Sequence, residues 1–185
     1  MFRKLNSLTI FAVCTVSIAL SGPMRVSLAQ DALSLTRLQL VYLDQAPLEI
    51  TNEEFKTFPR TKVETKDRDG KTITYSGVAV HHLLDRTETP LGESLRAGAL
   101  QCYVSVEAKD GYRVVFALPE LDSEFTDRII LLANEQNGQP LDARNGPYQI
   151  IVPDEKRHAR WVRMVEKIRI LESKISPDVS SKPTR

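Results

Sequence analysis

Cysteine is nearly absent from this 185-residue chain, which has two, Cys14 and Cys102. Cys14 falls in an apolar stretch near the N-terminus, so a processed chain would keep Cys102 alone. One cysteine excludes an internal disulfide, whatever the compartment. Histidine is scarce as well, with three residues. His81 and His82 are adjacent on an expected helix, where neighbouring side chains diverge by about 100°. No further His or Cys stands at ligand spacing, so no first-row metal site is expected. His82 is expected to pair with Asp85 or to cap nearby backbone. There is one tryptophan, Trp161. A Gly-rich phosphate loop, a Gly-x-Ser-x-Gly elbow, a tight carboxylate pair and internal repeats are all missing, which removes the commonest signatures of nucleotide and acyl chemistry. No apolar run reaches the roughly 20 residues that a membrane span needs.

The N-terminus reads as a targeting segment. Arg3 and Lys4 form a basic start, Leu8 to Leu20 is apolar apart from Thr and Ser, and Ser27-Leu28-Ala29 offers small residues before Gln30. Residues 1–29 are therefore expected to be a cleaved signal peptide, and the protein periplasmic or secreted. Arg3, Lys4 and Arg25 leave with that segment, so 22 basic residues face 24 acidic ones. This balance gives no reason to expect nucleic acid as a partner. Residues 30–171 suit one domain with a real core. The polar tail 172–185, with Pro177 and Pro183, is expected to be disordered.

Between these ends the pattern is mixed. Thr51-Asn52-Glu53-Glu54 is a capping box that opens a short helix ending before Pro59. Arg60 to Lys66 and Lys71 to Tyr75 read as a hairpin around Asp67-Arg68-Asp69-Gly70. Gly77 is expected to separate this hairpin from a helix over Val78 to Arg86, with Val80, Leu83 and Leu84 on its buried side. Thr87 to Gly98 reads as a loop. Leu100 to Lys109 alternates as a half-buried strand with Leu100, Cys102, Val104, Val106 and Ala108 on the apolar face. It turns at Asp110-Gly111 and returns as Tyr112 to Leu118. Pro119-Glu120 suits a helix's first turn. Ile129 to Ala133 and Tyr148 to Val152 read as strands buried on both faces, and Arg163 to Leu171 as a closing strand. The fold class is α+β, a compact mixed β-sheet with short packed helices.

A series of short signals runs through the second half: Asp110-Gly111-Tyr112, Asn137-Gly138-Gln139-Pro140-Leu141, Asn145-Gly146-Pro147, Val152-Pro153 and Arg160-Trp161-Val162. Asp-Gly and Asn-Gly close tight hairpins because they tolerate positive φ. In this order and spacing the series resembles the oxidoreductase molybdopterin-binding domain, the fold of the sulfite-oxidase family, from about Leu40 to Leu171. The resemblance implies a molybdopterin cofactor and, for an active member, a molybdopterin-dependent oxidoreductase. It also implies a cysteine thiolate on molybdenum, carried by an early strand. The matching stretch here is Thr61-Lys62-Val63-Glu64-Thr65-Lys66, which has no cysteine. Cys102 stands on a later strand and does not inherit the role. Its apolar neighbours make it a core residue.

The best functional candidate is the basic segment from Lys156 to Arg163, which holds four charged bases, His158 and Trp161. Guanidinium groups bind oxyanions bidentately, and a Trp offers a flat wall. The resemblance assigns this segment to the phosphate end of the cofactor, and Arg144 with Asn145-Gly146 to the turn beside the pterin. The expected cofactor-binding residues are thus Arg144, Asn145, Arg157, His158, Arg160 and Trp161. A plainer alternative is a solvated basic loop with Trp161 plugging the core. No catalytic residue and no metal ligand is assigned. Three functions stay open. One is an exported molybdopterin-binding-like protein without the molybdenum ligand. Another is a non-catalytic periplasmic binding or sensory module for a small anionic ligand or a protein partner. The third is an oxidoreductase that uses an unusual metal ligand.

Overall fold

The structure is a computed structural model that describes residues 37–66 and 69–173. The expected signal peptide and nearly all of the expected tail lie outside the described residues. Among the described residues ten strands form two five-stranded sheets rather than one. The first sheet has the order β2 (Leu48–Thr51), β1 (Arg37–Tyr42), β10 (Val165–Glu172), β5 (Cys102–Ala108), β6 (Arg113–Ala117). β1 and β10 run parallel and the other neighbours antiparallel. The second sheet is antiparallel: β3 (Arg60–Lys66), β4 (Thr72–Ala79), β7 (Leu131–Gln136), with the two-residue β8 (Gln139–Pro140) and β9 (Gln149–Ile151) both pairing with β7. The mixed sheet and short helices agree with the α+β expectation. Two sheets arise because the buried face of each must be covered, and the other sheet covers it.

One hydrophobic cluster joins them. Leu38, Leu40, Val104, Val106, Phe116, Ile168 and Ile170 come from the first sheet, and Val63, Val78, Leu131, Leu132 and Ile150 from the second. Two short helices close it. In α1 (Asn52–Phe55) the N-cap Thr51 Oγ1 accepts from the Glu54 amide at 3.2 Å, and Phe55 is buried. In α2 (Val80–Leu84) Val80, Leu83 and Leu84 are buried, as their spacing required.

Several boundaries differ from expectation for physical reasons. Gly77 does not end the strand. It lies within β4, beside a register shift opposite β7, and a Cβ there would stand 2.1 Å from the Leu132 carbonyl oxygen. The glycine serves close backbone approach, which a linear pattern does not distinguish from a breaker. Leu100 is not on the strand face. It sits in a 3-10 turn, Ala97–Gln101, and is half exposed. β10 is central rather than closing, and a shift between Val165 and Lys167 places Val165, Ile168 and Ile170 together in the core. Pro119-Glu120 lies in a 3-10 turn, Leu118–Leu121, whose Glu120 carboxylate accepts from the Ala117 amide at 3.1 Å. The rings of His81 and His82 do not diverge; their centroids are 4.1 Å apart. Burial pulls the His81 pKa down, and His82 adds to that. His82 Nδ1 stands 3.6 Å from the Asp85 carboxylate, as expected.

Candidate functional site

Three of the turns flagged in the sequence, at Asp110-Gly111, Asn145-Gly146 and Arg160-Trp161, border one cleft. At Asp110-Gly111, Asp110 Oδ1 accepts from the Tyr112 amide at 2.9 Å and Gly111 takes φ 86°. Before Asn145-Gly146, the Asp142 carboxylate accepts from the amides of Arg144 at 3.2 Å and Asn145 at 2.9 Å. The segment after it is held by backbone. Ile150 donates to the Val162 carbonyl, Met164 to that of Asn145 and Val165 to that of Tyr148, at 2.8, 3.0 and 2.9 Å. Lys109 donates to Met164 at 3.0 Å, and the Tyr112 hydroxyl donates to the Ala159 carbonyl at 2.7 Å. Three segments distant in sequence are thereby fixed around one cleft of about 620 Å³. That volume is in the range of small-molecule sites.

The first sheet's end supplies Ala108, Asp110 and Tyr112 to the cleft. β3 supplies Thr65 and Lys66, β4 Tyr75, β7 Gln136 and β9 Gln149. The turns add Arg144, Asn145, His158, Trp161, Arg163 and Met164. Of the six expected cofactor-binding residues, the structure brings four together here: Arg144, Asn145, His158 and Trp161. Arg157 and Arg160 do not line the cleft. Arg157 is exposed before the 3-10 turn His158–Arg160. Arg160 is occupied elsewhere. Its Nε donates to Glu155 at 2.7 Å and its Nη1 to Glu120 at 3.1 Å, and its guanidinium lies 4.7 Å from the Phe116 ring centroid. Burial pulls its pKa down, but the bonds to Glu155 and Glu120 outweigh that and the net direction is upward.

The cations that do line the cleft are Lys66, Arg144 and Arg163. No carboxylate among the described residues forms an ion pair with any of them. Trp161 is both core and wall. Its Nε1 donates to the Val152 carbonyl at 3.0 Å, His158 stacks on it at 3.7 Å and 11°, and Tyr75 meets it edge-on at 89°. Only 8% of it stays exposed. Tyr75 is almost buried, and burial raises the pKa of its hydroxyl against the opposing pull of Arg163. Gln149 is 5% exposed, its amide has no hydrogen-bond partner among the described residues, and its Oε1 is sealed from solvent. A buried amide left unpaired costs about 1–3 kcal/mol.

Lys66, Tyr75, Gln149 and Arg163 escaped the sequence reading. Arg163 belongs to the basic segment, and Lys66 to the cysteine-free stretch Thr61 to Lys66. Gln149 did carry a signal: it is the one polar residue in the apolar run Tyr148 to Val152, and a buried polar residue is more informative than a buried apolar one. Tyr75 carried none. Cys102 is buried at the start of β5, and burial, then Glu172, pushes its thiol pKa up. Ala108, at the other end of β5, reaches the cleft, so Cys102 stands about 20 Å away at the usual rise per strand residue.

This two-sheet frame with its cluster of turns defines a known class of domain. The family model for the oxidoreductase molybdopterin binding domain matches residues 30–178, and the chain belongs to that family. Its fold is similar to the crystal structure of the sulfane dehydrogenase SoxCD from Paracoccus pantotrophus. That similarity has a TM-score of 0.57 at 18% identity and covers 76% of this chain and 39% of that one. The chain thus spans less than half the length of that relative, and at this identity the likeness concerns the fold. No curated protein matches the chain.

The family implies a molybdopterin cofactor, and the donor set tests it. Among the described residues no thiolate reaches the cleft: β3 presents Thr65 and Lys66 to it, and Cys102 is at the far end of β5. Among the described residues no group of three or more His, Cys, Asp or Glu converges as a metal site. The three cations do fit an anion. Nor is any helix of the described residues long and apolar enough to cross a membrane.

Proposed function

We propose that this chain is an exported member of the family that binds a small anionic ligand in the cleft and does not perform molybdenum oxo transfer. The observation that carries the reading is that Lys66, Arg144 and Arg163 line one cleft with no carboxylate ion-pair partner among the described residues. Three cations lining one cleft repel unless water or an anion offsets their charge, and charge-assisted contacts are the strong ones. Asn145, His158 and Trp161 complete the wall. Arg157 and Arg160 stay outside this reading, one being exposed off the cleft and the other already neutralised. Without a thiolate, molybdenum would rest on the pterin dithiolene alone, so oxidoreductase activity is not part of the proposal. A metal-free pterin is itself a small anion when phosphorylated. A periplasmic protein partner would have to present its anion to the same three residues.

Two measurements test this. Protein purified from its native compartment is expected to hold little or no molybdenum by elemental analysis. Near one molybdenum per chain overturns the metal-free reading. Inorganic phosphate or a phosphorylated pterin is expected to raise the melting temperature of the wild type, and Arg144→Ala with Arg163→Ala to abolish the rise. An undiminished rise in that double variant sinks the cleft as the binding site.

A further inference from the structure

The cleft offers more than charge. Tyr75, Gln136, Asn145 and Gln149 place neutral polar heads around it, and none of these side chains hydrogen-bonds a described residue. Tyr75 and Gln149 are 6% and 5% exposed, and the Gln149 Oε1 is sealed from solvent. Each head both donates and accepts. A phenol does so through one oxygen, and an amide through a paired nitrogen and oxygen. A fully ionised oxyanion accepts only, so it satisfies the cations and leaves the amide oxygens idle. A flat aromatic ligand is poorly served too. His158 covers one face of Trp161, Tyr75 is set against it at a right angle, and 8% of the indole is left exposed.

A hydroxyl matches such heads best, because it also donates and accepts at one atom. Resting on the anion-binding reading above, we infer that the ligand is a hydroxyl-rich anion of the sugar-acid class. Its carboxylate meets Arg144, Arg163 and Lys66, and its hydroxyls meet Tyr75 and Gln149. Gln149 is then the specificity residue. Turning its amide toward the ligand exchanges an unpaired buried group for a paired one. The half-exposed Tyr112 and the exposed His158 give the non-planar ring a side to lie against.

The test compares two carboxylates of equal charge and similar ring size by titration calorimetry on the full mature chain: D-glucuronate, with hydroxyls, and cyclohexanecarboxylate, without. Glucuronate is expected to bind tighter by about 10-fold or more, as one or two added hydrogen bonds imply. Gln149→Met and Tyr75→Phe are each expected to shrink that ratio severalfold. A uronate tetrasaccharide that binds tighter than glucuronate places the natural ligand at the end of a glycan, and one that binds more weakly makes it a free sugar acid. Equal affinity for the two ring carboxylates overturns the inference, and so does tighter binding of 6-carboxypterin than of glucuronate. If phosphate still raises the melting temperature in that case, the anion-binding reading survives alone. If no anion binds, both fall. Should a variant fail to fold, the wild-type ratio decides by itself.

Discussion

Arg160 and Arg163 stand three residues apart in one basic segment and have opposite surroundings. Arg160 is held between Glu155 and Glu120 over Phe116. Arg163 faces a cleft with two other cations and no described carboxylate partner. In the first region the charge is neutralised and acts as structure. In the second it is left open, beside an unpaired Gln149 amide and an almost buried Tyr75. Idle buried atoms are not confined to the cleft, since the Tyr148 hydroxyl, Glu155 Oε2 and Arg169 Nε also lack partners, so the cleft is marked by unpaired cations and an unpaired amide together. The difference locates the site better than the density of basic residues does.

Trp161 borders both regions, so its removal has the largest expected effect. Trp161→Ala deletes a stacked ring, a hydrogen bond to Val152 and a contact to Tyr75, and is expected to destabilise by about 3–5 kcal/mol in denaturant unfolding. A loss below about 1 kcal/mol would make Trp161 a surface wall and not a core residue. Next comes Arg160→Ala. It leaves the largely covered Glu155 without its partner and is expected to cost about 1–3 kcal/mol, while the melting shift with phosphate stays intact. If that shift disappears with the variant still folded, the two regions are not separate.

Tyr148 sharpens the comparison, since its hydroxyl is buried and unpartnered but lies away from the cleft, against Phe55. Burial, then Glu53, pushes its pKa from 10.0 up to about 12. A raised acid pKa means that the folded state favours the neutral phenol. The stability tied to it is therefore present below pH 10 and lost as pH rises toward 12, by about 2–3 kcal/mol in all. Tyr148→Phe is expected to flatten that alkaline loss. At neutral pH it should be neutral or stabilising by up to about 1 kcal/mol, because no partner is left behind. A marked loss at neutral pH would reveal a bond to that hydroxyl. The smallest effect on stability is expected for Arg163→Ala, within about 0.5 kcal/mol, together with a weakened response to phosphate. A destabilisation like that of Arg160→Ala would erase the contrast between the two arginines.

Much of this was legible in the chain itself. Local chemistry set the turns at Asp110-Gly111 and Asn145-Gly146, the Thr51 cap, the apolar faces of β5 and α2, and the absence of a thiolate from Thr61 to Lys66. Each depends on residues within a few positions of one another. The resemblance and the basic segment also pointed to Arg144, Asn145, His158 and Trp161, which line one cleft. What the sequence did not decide depends on neighbours far along the chain. Gly77 reads as a breaker until Leu132 is set against it. β10 reads as a closing strand until β1 and β5 pair on either side. Arg160 and Arg163 carry the same charge in sequence, and only Glu120, some forty positions upstream, with Glu155, tells them apart. Side-chain type and spacing determine what a residue is able to do. Which of those abilities stays unspent is decided by tertiary packing, because a charge or an amide is satisfied by whatever group the fold brings within hydrogen-bond reach.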